Sequence, residues 1–215
     1  MKKKSQKSFW IAVCLLAVFV LWTLLVACVD VREIGPDGSA VGFATLNSAV
    51  RELMGVNMRL YTATDWLGLV PIATALGFAV LGLVQWVTRK RFLSVDHSIL
   101  ALGVFYVVVI AVYVFFELVI INYRPVLISG YAEASYPSST TVLASCVMPT
   151  AAIQLNARIK IRRLRRCVTM IIAAFVAFMV IGRFLSGVHW ITDIIGGSLL
   201  SAGLVVLYSA LITDV

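Results

Sequence analysis

Three groups of polar residues stand out in an otherwise apolar chain, because their types suit the handling of a phosphoryl group. Arg183, His189 and Asp193 close the segment Gly182-Arg183-Phe184-Leu185-Ser186-Gly187-Val188-His189-Trp190-Ile191-Thr192-Asp193. His189 and Asp193 are four residues apart, so on a helix they share a face, where the carboxylate can hold the imidazole in one tautomer. A neutral imidazole held in this way is a competent nucleophile. Arg124 and Arg183 offer forked donors to phosphoryl oxygens. Ser138, Ser139, Thr140 and Thr141 follow Pro137 at a helix start, where free N–H groups and the helix dipole favour an anion and the hydroxyls add donors. Singly, each group has a plainer role: a helix cap, an interfacial anchor, a packed polar pair. Their convergence toward one membrane face favours a phosphate site.

The elements that must position these residues are membrane spans. Apolar residues make up 61% of the 215 positions and charged residues 13%, a balance unlike that of a water-soluble domain. A bilayer core about 30 Å thick needs roughly 20 apolar residues of helix, since helices satisfy every backbone group internally. Six stretches qualify: Phe9–Cys28, Trp66–Val87, Ser98–Ile121, the shorter Ser139–Leu155, Cys167–Val188 and Trp190–Ile212. The expected fold is an all-α membrane protein, a six-transmembrane-helix bundle forming a single domain over residues 1–215. After the turn residues Gly35-Pro36-Asp37-Gly38, the spacing of Leu46, Ala49, Val50, Leu53 and Met54 predicts a short outer amphipathic helix ending near Gly55. Such a helix rests on the membrane, covers the bundle or guides a lipid substrate.

The net charge of +8 is gathered in three segments: Lys2, Lys3, Lys4 and Lys7; Arg89, Lys90 and Arg91; and Arg158, Lys160, Arg162, Arg163, Arg165 and Arg166. These are the N-terminus and alternate loops, a pattern that argues against nucleic acid as a partner. By the positive-inside rule it places both termini in the cytoplasm and the polar cluster on the outer face of a bacterial-type cell membrane. The other side carries only Arg32, Arg51, Arg59, Arg124 and Arg183. Trp10 and Trp86 at the inner boundary, with Trp66, Tyr123 and Trp190 at the outer one, form the expected aromatic belt. Cys14, Cys28, Cys146 and Cys167 have no metal-ligand spacing and read as small core residues. Leu25-Val26-Ala27-Cys28 resembles a lipoprotein cleavage box, but the long apolar run before it favours an uncleaved helix.

The polar segments resemble those of the type 2 phosphatidic acid phosphatase superfamily, whose members are membrane-embedded lipid phosphate phosphatases. That family's pattern is Lys, six residues, Arg-Pro; then Pro-Ser-Gly-His; then Ser-Arg, five residues, His, three residues, Asp. Matching segments here are Glu117 to Pro125, Pro137 to Thr140, and Gly182 to Asp193, the third being the most specific. The resemblance implies a two-step reaction without a cofactor or metal. The imidazole of His189 attacks phosphorus to form a phosphohistidine, Asp193 orients it, and Arg124, Ser138 and Arg183 hold the phosphoryl oxygens before water releases phosphate.

Three positions depart from the pattern. Glu117 takes the place of a phosphate-binding lysine, Thr140 that of the histidine which protonates the leaving group, and Gly182 that of a serine. Losing a general acid costs about 10²- to 10⁴-fold in rate. The penalty should fall mainly on monophosphates, whose alkoxide leaves poorly, and so favour prenyl or other lipid diphosphates. Glu117 and Glu133 are the acids considered as substitutes. The leading expectation is a phosphatase acting on a lipid phosphate or diphosphate, with membrane lipid as its surroundings. A catalytically silent lipid-phosphate-binding protein and a lipid phosphotransferase remain open alternatives. A transporter ranks last, since the charges sit toward one face and no internal repeat is evident.

Overall fold

The structure, a computed structural model, describes residues 3–213, so Lys2 of the first basic segment lies outside the described residues. Eight α-helices lie among those residues: α1 (Lys3–Cys28), α2 (Ala44–Met54), α3 (Met58–Leu67), α4 (Leu69–Arg89), α5 (His97–Leu118), α6 (Ser139–Arg158), α7 (Arg162–Leu185) and α8 (Ile191–Thr213). A small antiparallel ribbon, β1 (Arg32–Glu33) and β2 (Ala40–Val41), leads from α1 into α2. α2 closes at Gly55, whose φ of 66° is left-handed and suits a residue without a Cβ.

Among the described residues five stretches, not six, are long and apolar enough to cross a membrane: Ser5–Cys28, Met58–Arg89, His97–Leu118, Arg162–Leu185 and Ile191–Thr213. The exception is the expected fourth span, which forms as helix α6 but is too polar to be counted with them. Its 20 residues reach about 30 Å. α6 packs against α4, α5, α7 and α8, and buries Thr141, Cys146, Thr150 and Gln154. A helix that faces protein on most sides can carry polar side chains that find partners locally. The Thr150 hydroxyl, for example, donates to the Cys146 carbonyl at 2.8 Å.

Met58–Arg89 runs for 32 residues, far beyond what a 30 Å core requires. It is divided at Gly68 into α3 and α4, and the 21 residues of α4 suffice to span. The span expected from Trp66 therefore starts inside the last turn of α3.

α1 lies along α8, with the Ser5 hydroxyl on the Ala210 carbonyl at one end and the Trp22 indole on the Thr192 carbonyl at the other. Their interface includes Gly203, where a Cβ would come within 2.7 Å of Leu16. Phe19, Phe105, Phe116, Tyr136, Leu200 and Tyr208 fill the interior. Large apolar side chains such as Leu21, Leu76, Leu118 and Met170 face outward, as expected where lipid is the solvent. At the Ser5 end, Asp96 takes hydrogen bonds from Arg89 and Gln85 and lies 3.5 Å from Arg158, tying the α4–α5 loop to the end of α6. The bonds from Arg89 and Gln85 hold its carboxyl below the ordinary aspartate range. The two basic loops thus share the end where α1 begins and α8 finishes. The polar cluster occupies the opposite end.

Candidate active site

Two corners build the site. The segment between α5 and α6 folds back on itself, with Arg124 N–H on the Glu133 carbonyl at 3.0 Å and Ser135 N–H on the Asn122 carbonyl at 2.9 Å. The turn between α7 and α8 passes through Gly187, whose φ is +66° and where a Cβ would lie 1.9 Å from the Gly55 carbonyl oxygen. Only glycine allows that approach, and it is sealed by Asn57 N–H donating to the Ser186 carbonyl at 2.9 Å. The beginning of α3 is thereby fastened to the turn that carries His189.

The side chain of Asp193 is fully buried and its oxygens are well supplied with donors. Oδ2 accepts from the Ser135 hydroxyl at 2.5 Å and the Trp190 N–H at 2.9 Å, while Oδ1 accepts from the Asn122 amide at 3.3 Å. His189 Nδ1 lies 3.8 Å from Asp193 Oδ2, too far for a hydrogen bond. Ser135 Oγ fills the gap at 3.1 Å from Nδ1. Since the carboxylate only accepts, the serine proton belongs to Asp193, and Ser135 must accept from Nδ1–H. That assigns the unshared electron pair of the ring to Nε2, which has no protein partner. Burial pushes the imidazole down to about 4 from its ordinary value, outweighing the upward pull of Asp193, and Arg124 and Arg183 lower it further. The imidazole is therefore neutral near pH 7.

Nη1 and Nε of Arg183, Nη1 of Arg124 and the Ser138 hydroxyl are also buried without a hydrogen-bond partner. Leaving such donors unsatisfied costs about 1–3 kcal/mol each, so a cluster of them beside a free imidazole nitrogen suits a multivalent oxyanion. Ser138 stands at the N-terminus of α6, but its side chain does not fold back to cap the helix. Both guanidinium groups lie over the ring of Tyr61, at 5.7 Å for Arg124 and 4.7 Å for Arg183. Among the described residues, no three His, Cys, Asp or Glu side chains gather as metal ligands.

The other expected residues are distributed around this centre. Thr140 Oγ1 accepts from Arg183 Nη2 at 2.5 Å. Glu133 Oε2 is 3.1 Å from Arg124 Nε. Glu117 is exposed near the end of α5 and makes no salt bridge among the described residues. Ser139 lines, with Glu117, Thr140 and Ser135, the polar end of a cavity of about 340 Å³. Its remaining walls are apolar, including Ile72, Val109, Val142 and Leu143. Ser135, Tyr61 and Asp65, which meets Arg183, were not expected from sequence. Nothing in their local patterns marks them, because each acts across a long stretch of chain.

A family model described as the PAP2 superfamily matches residues 72–215. No curated protein matches the chain. Among solved structures, the chain resembles the crystal structure of the first transmembrane PAP2 type phosphatidylglycerolphosphate phosphatase from Bacillus subtilis, with a TM-score of 0.57 and 19% identity over 95% of this chain and 96% of that one.

Proposed function

The chain belongs to the PAP2 superfamily, and from that premise we propose that it is a membrane-embedded phosphatase which removes phosphate from lipid phosphates or prenyl diphosphates through a phosphohistidine. One observation carries the reading: His189 Nε2 is free and unprotonated because Ser135 holds Nδ1, and it is accompanied by the unpartnered donors of Arg124, Arg183 and Ser138. In the reaction, the Nε2 electron pair forms a bond to phosphorus as the bond to the lipid oxygen breaks. The arginines and Ser138 take up the charge on the equatorial oxygens. Asp193, acting through Ser135, stabilises the imidazole as positive charge develops on it. Water then attacks phosphorus from the other side, leaving its hydroxyl on the phosphate and returning the electron pair to Nε2, while its other proton balances the one taken up by the released lipid oxygen.

The apolar cavity between α5 and α6 opens beside these groups and suits the hydrocarbon of a lipid substrate. The basic loops at the opposite end support an outward-facing site with both termini cytoplasmic.

The test is phosphate release by the purified chain in detergent from a panel of lipid mono- and diphosphates, with His189→Ala as control. Expected are turnover and an acid-labile phosphoprotein in the wild type, and neither in the variant. Undiminished activity in His189→Ala would end this mechanism. The alternative, a lipid-phosphate-binding protein without turnover, draws on Thr140, which cannot replace a histidine acid near neutral pH. It would appear as saturable binding with no phosphate released.

A further inference from the structure

The family's pattern puts a proton-transferring histidine where this chain has Thr140, and the fold places a carboxylate beside that position. Arg183 Nη2 donates to Thr140 Oγ1 at 2.5 Å and to Asp65 Oδ1 at 2.7 Å. The two oxygens are therefore no farther apart than those two bonds laid end to end. Asp65 comes from α3, ahead of the residues that match the family model. Its side chain is 58% exposed whereas that of Arg183 is 1% exposed, so this carboxylate faces solvent at the edge of a buried phosphate-binding guanidinium.

A second departure makes the approach possible. At Gly182, which stands in the place of a serine, a Cβ would come within 2.7 Å of the Thr64 methyl group. A side chain there would require Thr64, the neighbour of Asp65 on α3, to shift. Gly182, Thr140 and Asp65 are thus three parts of one arrangement.

Resting on the phosphatase reading above, we propose that Asp65 is the proton-transfer residue of this site. In the second step the oxygen of water bonds to phosphorus, the N–P electrons return to His189 Nε2, and one water proton passes to the Asp65 carboxylate. In the next cycle that proton goes to the lipid oxygen as its bond to phosphorus breaks. Over a full turnover water supplies the hydroxyl of phosphate and the hydrogen of the released lipid alcohol, and Asp65 ends as it began. Of the two acids expected from sequence, Glu133 pairs with Arg124 and Glu117 makes no salt bridge among the described residues, so neither shares with Thr140 the Arg183 guanidinium that Asp65 meets. With Asp65 in this role, monophosphates are accessible substrates despite Thr140, contrary to the diphosphate preference expected without an acid.

The experiment uses the full chain in detergent with a prenyl diphosphate and its matched monophosphate. Asp65→Asn keeps a carbonyl oxygen for Arg183 but cannot carry the proton. Turnover should fall about 10²- to 10⁴-fold on the monophosphate. On the diphosphate, whose leaving group needs little acid, the first step should persist and phosphohistidine should accumulate. Thr140→His added to Asp65→Asn should restore turnover, and Asp65→Glu should retain part of it. Wild-type rates in Asp65→Asn would overturn the proposal, as would a rise in KM with no accumulated phosphohistidine, which would indicate positioning of Arg183 alone. A wild-type chain that releases phosphate from neither lipid would instead overturn the phosphatase reading itself.

Discussion

His189 Nδ1 and Asp193 Oδ2 lie 3.8 Å apart, and the Ser135 hydroxyl joins them at 3.1 Å and 2.5 Å. The carboxylate thus orients the imidazole through an intervening hydroxyl. Ser135→Ala should lower kcat by about 10²-fold with KM little changed, because the ring loses its tautomer control while the phosphate donors stay in place. Ser135→Thr keeps the hydroxyl and should recover most of the rate. Wild-type kcat in Ser135→Ala would mean that Asp193 reaches the ring directly.

The pH dependence follows from the depressed basicity of His189. In the proposed reaction its neutral form is the nucleophile, and burial keeps it neutral down to about 4. With a lipid diphosphate, whose first step needs little acid, the rate of phosphohistidine formation should therefore be level through the range where an ordinary histidine titrates, and should fall as pH drops through about 4. Stability shares the sign. The unfolded chain takes up the proton near the ordinary value of 6.5 and the folded one only near 4, so acidification across that window weakens the fold. Single-turnover labelling over a pH series, with thermal melting in parallel, checks both. A rate that halves near 6.5 would show that the imidazole is exposed to water.

The long helices could be read from the chain because lipid demands continuous apolar runs. The run ending at Cys28 and the helix α1 finish at the same residue, and the last span differs from α8 by one residue at each end. α6 was legible as a helix, yet its surroundings were not. Its threonines and Gln154 take their meaning from neighbours that composition does not disclose. The site divides in the same way. Arg183, His189 and Asp193 lie on one short segment, so spacing alone brings them together. Ser135 reaches Asp193 across 58 positions, and Asp65 reaches Arg183 across 118. Such contacts depend on how the elements pack, and the turn at Gly187 and the gap at Gly182 that permit them are visible only in three dimensions.

The placement of basic loops at the end opposite His189 predicts the sidedness of the site. In a background with the four native cysteines replaced, a cysteine introduced at Gly38 or Ser129 should react with an impermeant reagent applied to intact cells. One at Arg162, which begins α7 at the other end, should react only after lysis. The opposite pattern would place the site on the cytoplasmic face.

The cavity beside the site predicts how the chain selects its lipid. Leu143 and Val109 line its apolar wall, while Ser135 and Thr140 form part of its polar end. A hydrocarbon lying there contributes binding roughly in proportion to buried length, about 0.8 kcal/mol per methylene group removed from water. Leu143→Trp fills the wall without touching His189, Asp193 or either arginine. It should raise KM for a long-chain lipid phosphate several-fold and leave kcat/KM for a short-chain, water-soluble analogue unchanged. Because the substitution acts on tail binding, phosphohistidine formation at saturating substrate should proceed at the wild-type rate. An equal loss on both substrates would mean that the tail lies elsewhere and that the substitution disturbs the nearby α6 N-terminus.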